Sequence, residues 1–436
     1  MIFKAYDIRG VYPNEITEDI AYKVGRAFAF YIGEGSKIVL GRDNRKSSES
    51  LFNSLKRGII DQGGNVIDIG LSTSPMLYFA NEYLSCDGGV MVTASHNPSQ
   101  YNGFKMIKKH AFPLSGEDGM EEIKKMVLDD NFNSPKEKGS STTKDISNEY
   151  IDSFKREEYK NIKVVVDTAN SVSGLIVPEM FKGVNLVHIF KDLDGNFPNH
   201  EPNPLKEENL KMLQEKVIEE GADLGVAFDG DGDRVFFVDE KGEIITSDLI
   251  LALVSSLILE NKGKILYDIR CSNIVKETIE GLSGIAVPTR VGHSFIKSLM
   301  KDEDILFGGE YSGHYYLKQG ESYFESPYFV IFEILRAING KKISDLILPF
   351  KKYFHSGEIN FEVENKDGAI KAVEDKYKNG KINRMDGLRV DYEDWWFLLR
   401  ASNTEPVLRL IVEAKNKDLL EKKVKEIKET IFPFFS

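Results

Sequence analysis

The chain has 436 residues, of which 41% are hydrophobic and 29% charged, with a formal net charge of −12 and two cysteines. That length exceeds what one hydrophobic core supports, so several domains are expected, and the composition excludes a disordered chain. The acidic surplus excludes a surface that generically attracts nucleic acid or anionic lipid, and Cys86 and Cys271 are too few for a disulfide framework or a cysteine metal site, which fits a reducing cytoplasm.

The first residues, MIFKAYDIRGVYPNE, lack the charged start and apolar run of a signal peptide. The longest apolar run, Leu249 to Leu259, is interrupted by Ser255 and Ser256 and falls short of a bilayer span, so no export or membrane insertion is expected. From there one pattern recurs three times: a β-branched strand, a polar loop, a helical segment, then a second strand ending in a polar, Gly-rich loop. SKIVLGRDNRKSS leads through a helix around SLFNSLKRGIIDQGG to CDGGVMVTASHNP. IKVVVDTANSVSG leads to GADLGVAFDGDGDR, and GKILYDIRCSN to EDILFGGEYSGH. Strands alternating with helices predict α/β units whose ligands sit beyond the carboxyl ends of the strands. The final segment differs, with GLRVDYEDWWFLLR and VLRLIVEA as strands and a charged amphipathic helix over Lys417 to Ile431, the pattern of a small α+β domain. Turn-rich breaks, the clearest being NSPKEKGSSTTKD, divide the chain into 1–147, 148–246, 247–352 and 353–436.

The polar loops carry the chemistry. Ser95 follows an apolar strand in VMVTASHNPSQYNGFK, where Asn97 and Pro98 favour a turn. His96 is its neighbour in sequence, but adjacent side chains point apart, and the G-x-S-x-G elbow of a hydrolase is missing, so no Ser-His dyad is expected. Lys105 is the more useful partner: it neutralises phosphate charge or, with a lowered pKa, shuttles a proton. Asp229, Asp231 and Asp233 alternate in DGDGDR, and such clustered acids call for a hard cation such as Mg²⁺ or Ca²⁺. An EF-hand is rejected, because Arg234 stands where that loop needs glycine and the flanks LGVAF and VFFVD read as strands. Glu310, Ser312 and His314 alternate in GGEYSGH, and a carboxylate there can accept from two vicinal sugar hydroxyls. In LLRASNTEPVLRL, Arg400, Ser402, Asn403, Thr404 and Arg409 combine guanidinium forks with hydroxyl and amide donors, a set suited to phosphate.

Taken in order, TASHNP, DGDGDR, GEYSGH and RASNTEPVLR resemble the four signature loops of the α-D-phosphohexomutase superfamily, and the resemblance runs through essentially the whole chain. FKAYDIRG, TASHNPSQYNGFK and EPNPLKEENL are most similar to its phosphomannomutase/phosphoglucomutase branch. The resemblance implies three similar mixed-sheet α/β domains and a smaller C-terminal α+β domain around a central cleft. It implies that Ser95 carries a phosphoryl group and that one Mg²⁺ ion is held by that group with Asp229, Asp231 and Asp233. Tyr6 and Arg9 match the active-site YDIRG segment, Lys105 the proton-transfer lysine and His96 the histidine beside the phosphoserine. Gly292 and His293 of TRVGHS match residues that line the sugar site, as do Glu310 and Ser312, while Arg270 stands where the branch often carries lysine.

The expected activity is interconversion of hexose 1-phosphate and hexose 6-phosphate, of mannose, glucose or both, through a bound hexose 1,6-bisphosphate that turns over between two phosphoryl transfers. A phosphoglucosamine mutase, a metal-dependent serine-nucleophile phosphatase and a non-catalytic sugar-phosphate or metal sensor are the alternatives. The expected partners are hexose phosphates, with no nucleic acid and no membrane, for a monomer or homodimer.

Overall fold

The computed structural model describes residues 2–4, 6–116, 118–155, 157–260, 262–402 and 407–435. The β-branched runs of the first unit become strands of a six-stranded sheet in the order 8–11, 101–108, 88–92, 37–42, 65–71, 141–143. Strand 37–42 lies parallel to 65–71 and to 88–92, whereas 101–108 runs antiparallel to 88–92 and to 8–11. Helix Glu18–Ile32 starts at Thr17, whose hydroxyl accepts from Ile20 N–H and satisfies a first-turn donor. It packs on helix Ser48–Asp61, and Leu51, Leu55 and Ile59 are wholly shielded from water, each stabilising the fold by about 1.5–3 kcal/mol.

The second and third units repeat this mixed plan with five strands each. Their orders are 244–245, 235–239, 224–228, 159–167, 184–189 and 285–289, 264–268, 307–309, 315–319, 322–325. In all three units a strand in parallel pairing passes through a loop into an antiparallel neighbour: 88–92 into 101–108, 224–228 into 235–239, 307–309 into 315–319. Those three connections carry Ser95, the Asp229 loop and the Glu310 loop, so topology alone makes their positions equivalent.

The last unit is a wholly antiparallel sheet, 354–355, 407–414, 395–401, 388–391, 381–383, with 359–362 also on 407–414. Helices Lys366–Lys376 and Lys417–Ile431 cover it, the second capped by Asn416 accepting from Leu419 N–H. The chain is therefore four domains, three with mixed α/β sheets and one C-terminal.

A single apolar cluster runs through the first three domains, with Tyr328 packed on Phe228, Tyr150 and Phe181. The last domain keeps its own core and touches the third through Ile269, Trp396, Leu398 and Ile411. No helix among the described residues is long and apolar enough to cross a membrane.

Candidate active site

Ser95 is 2% exposed and sits at φ 51°, in the left-handed region that non-glycine residues rarely enter. What holds it there is Arg45, which the sequence reading passed over. Its guanidinium donates to the carbonyls of Ser95 and Asn97 at 2.7 Å each, to Pro98 O at 2.7 Å and to Tyr101 O at 3.2 Å. Asp43 anchors it at 3.1 Å, and the Phe197 ring of the second domain covers it at 5.0 Å. The run GRDNR at the end of strand 37–42 is the signal, since it stands at a strand terminus beside the Ser95 loop.

The left-handed turn corrects one expectation. Ser95 Oγ and His96 Nδ1 do not point apart; they lie 3.3 Å from each other. Burial, with Arg234 and Arg9 nearby, keeps His96 neutral well below the usual histidine range. Arg9 reaches the same loop, donating from Nη1 to Asn97 Oδ1 at 2.9 Å.

Ser95 Oγ donates to Asp229 Oδ2 at 2.9 Å, which joins the first domain to the second. Close approach of the two loops requires Gly230, where a Cβ would fall 2.3 Å from the Ser95 carbonyl oxygen. Asp229, Asp231 and Asp233 are all buried, and each offers a carboxylate oxygen within 4.8 Å of the others. Burial first, then Asp233 and Asp231, push the Asp229 carboxyl well above the usual range, the signature of negative charge awaiting a cation. Asp231 Oδ1 is buried without a hydrogen-bond partner. Three hard oxygen donors with one orphaned lone-pair site fit Mg²⁺.

Lys105 bridges Asp231 and Asp233, its Nζ 2.6 Å from an oxygen of each. Burial works to lower the lysine, but Asp231 and Asp233 prevail and raise it well above its ordinary value, so with these side chains alone it is a cation paired to both acids.

The third domain joins through His314, whose Nε2 lies 3.2 Å from Asp233 Oδ1 and whose Nδ1 lies 2.8 Å from Glu310 Oε2. Burial pulls this histidine down, yet Asp233 and Glu310 lift it to about 9. Tyr316 also donates to Glu310 Oε2 at 2.8 Å, leaving Oε1 as the less committed oxygen, 3.5 Å from Arg270. Arg270 is forked onto Asp268 and comes within 3.4 Å of Ser312 Oγ. His293 opens the helix His293–Asp302, and burial, with Lys297 and Lys105 close by, lowers it to about 3. Tyr6 packs edge-on against His293 with 5.4 Å between ring centroids; a Cβ at Gly292 would meet its hydroxyl at 3.1 Å, and Gly292 also sits at φ 133°.

Arg400 and Arg409 face each other directly across the antiparallel ladder, where like charges repel unless an anion lies between them. Arg409 pairs with Glu358 at 3.4 Å, and Ser402 N–H donates to Val407 O at 3.0 Å. Asn403 and Thr404 lie outside the described residues. Arg400 reaches the third domain through Asp386, which lies 3.5 Å from its Nε and accepts from Val291 N–H at 3.1 Å. Asp386 was also missed, because an Asp-Gly pair before a strand reads as an ordinary turn.

Family models described as phosphoglucomutase/phosphomannomutase alpha/beta/alpha domains I, II and III and the C-terminal domain match residues 1–134, 143–242, 246–353 and 358–430. A phosphomannomutase of Methanocaldococcus jannaschii is 40% identical over 99% of this chain and 97% of its own. The crystal structure of a phosphoglucomutase/phosphomannomutase family protein from Burkholderia thailandensis superposes with a TM-score of 0.90 at 31% identity, covering 100% of this chain and 98% of that one. The N-acetylphosphoglucosamine mutase of Aspergillus fumigatus, solved with GlcNAc-6P and magnesium, shares the fold at a TM-score of 0.62 and 14% identity, covering 99% and 96%.

Proposed function

The chain belongs to the phosphoglucomutase/phosphomannomutase family and is a hexose phosphate mutase, an intramolecular phosphotransferase, and from that premise we propose that the group it transfers is a phosphoryl group carried on Ser95. The observation that carries this reading is the Ser95 hydroxyl, buried and 2.9 Å from Asp229, where loops of three domains converge. A phosphoglucosamine mutase and a serine phosphatase are not favoured by a phosphomannomutase relative that matches over the whole chain.

In the first transfer the Oγ–P bond of phospho-Ser95 breaks as an O–P bond forms to the free hydroxyl of the bound hexose monophosphate. The hydroxyl's proton ends on Ser95 Oγ, which then donates to Asp229 Oδ2, the contact seen here. Arg45 holds the loop carbonyls throughout, so Oγ stays aimed at the cleft. After the hexose 1,6-bisphosphate reorients, the reverse transfer restores phospho-Ser95 and releases the isomeric monophosphate. Lys105 and the charged His314 offset negative charge on the transferring group, as phosphoryl transfer requires. One Mg²⁺ ion would be held by Asp229, Asp231 and Asp233 with a phosphate oxygen, and when bound supplies further compensating charge. Glu310 accepts sugar hydroxyls at Oε1, with Ser312, Arg270 and His293 beside it. Arg400, Arg409, Ser402, Asn403 and Thr404 hold the non-reacting phosphate, and mannose and glucose phosphates are both substrates.

Intact-mass measurement tests the reading. Incubation with glucose 1,6-bisphosphate adds one phosphoryl group, about 80 Da, that maps to Ser95 and is missing from Ser95→Ala, as covalent catalysis demands. Full turnover by Ser95→Ala would refute it.

A further inference from the structure

Arg400 is 7% exposed, yet Nε and Nη1 of its guanidinium are buried without a hydrogen-bond partner. Of its two counter-charges, Asp386 and Glu358, the stronger is Asp386, which lies 3.5 Å from Nε, an ion-pair distance beyond an ordinary hydrogen bond. The same oxygen, Oδ2, is instead tied by Val291 N–H at 3.1 Å. Asp386 thus sits on the hairpin between strands Lys381–Asn383 and Leu388–Asp391 of the last domain, pinned to the third domain one residue before Gly292.

An acid whose task is to orient an arginine makes a close fork with it, as Asp268 does with Arg270 at 2.7 Å and 3.1 Å. Asp386 does not. It stands beside Arg400 and leaves the arginine's donors open, which is the arrangement of a weakly bound anion that a stronger one can replace.

We infer that Asp386 is a built-in competitor for the substrate's non-reacting phosphate, a positioning residue that partly neutralises Arg400 between turnovers and shares or yields it when phosphate arrives. The inference rests on the reading of Arg400 as the phosphate anchor. A bisphosphate that must leave this anchor and return with its other phosphate needs a grip that lets go. While the ligand turns, a carboxylate close at hand keeps a buried guanidinium from standing uncompensated, which would otherwise be costly. Competition lowers apparent phosphate affinity by the fraction of molecules in which the arginine is available, and it speeds release. Because Asp386 is also bonded to the backbone beside Gly292 and His293, phosphate arrival at one domain is felt at the sugar loop of another.

The test is the variant Asp386→Asn, which keeps an oxygen for Val291 N–H and removes the charge. Inorganic phosphate is titrated calorimetrically into the wild type, Asp386→Asn and Arg400→Ala, and turnover of glucose 1-phosphate is measured for each. The expected result is phosphate binding tighter by about threefold or more in Asp386→Asn, with KM and kcat falling together because release slows. An orienting role gives the opposite sign. Weaker or unchanged phosphate binding in Asp386→Asn, alongside weakened binding in Arg400→Ala, overturns the inference and leaves Arg400 as the anchor. Unchanged phosphate binding in Arg400→Ala overturns the anchor reading and this inference with it. Asp386→Ser, also uncharged, is judged by the same signs should the asparagine variant fail to fold.

Discussion

Ser95 Oγ and Asp229 Oδ2, 134 positions apart in the chain, are 2.9 Å apart in space, and everything proposed for this cleft depends on that meeting of the first domain with the second. The contact needs a left-handed serine, a glycine at 230 and an arginine that gathers the loop carbonyls.

Divalent metal removal is the simplest prediction. Treatment with EDTA abolishes mutase activity and added Mg²⁺ restores it, because Lys105, His314 and Arg234 together do not balance three buried carboxylates and an incoming phosphate. Asp231→Asn raises the Mg²⁺ concentration giving half-maximal activity by about tenfold or more, read from a metal titration of initial rates.

Arg45→Lys separates loop positioning from ligand binding. A lysine cannot reproduce a fork shared among four carbonyls, and each buried carbonyl left unpaired costs about 1–3 kcal/mol. The expected outcome is a large fall in kcat with KM for glucose 1-phosphate little changed, together with a lower urea midpoint. A rise in KM alone would show that Arg45 acts on the ligand and not on the loop.

Arg400→Ala acts mainly on binding. Losing charge-assisted hydrogen bonds worth about 1.5–3 kcal/mol raises KM by about tenfold or more while kcat changes less. Steady-state kinetics on glucose 1-phosphate and mannose 1-phosphate read this directly, and the same shift for both sugars marks a phosphate contact.

Stability carries a pH signature at His200, in the second domain. Burial works against its charge, but the hydrogen bond to Asp167 at 3.0 Å outweighs burial and raises the histidine above its ordinary value. A raised folded-state value means the contribution is fully present below the unfolded value of about 6.5 and is lost as pH rises through the folded one. Urea unfolding of the wild type and His200→Gln at pH 5.5 and pH 9 should show the larger difference at pH 5.5. An equal difference at both would mean the imidazole stays neutral.

Much of this was legible in the chain, for local reasons. Helix Lys417–Ile431 falls on its expected bounds, because an amphipathic period follows the capping Asn416. LGVAF and VFFVD are the two strands around the Asp229 loop, as their alternation with turn glycines implied. The three polar loops stand at equivalent strand ends because strand, loop and helix recur in the same order. What stayed hidden depends on contacts between distant positions or on one backbone angle. Arg45 meets Ser95 across 50 positions and Asp386 meets Val291 across 95, and neither pairing leaves a local pattern. His96 approaches Ser95 only because the serine turns left-handed, and Lys105 meets its two aspartates only because they come from another domain.

The most direct measurement follows the phosphoryl group itself. Enzyme carrying ³²P on Ser95 is mixed with unlabelled glucose 1-phosphate in a single turnover, and the label is traced. Transfer from protein to sugar phosphate, at a rate no slower than isomerisation, is the predicted result. Isomerisation with the label still on the protein, or label leaving as inorganic phosphate, would contradict the role assigned to Ser95.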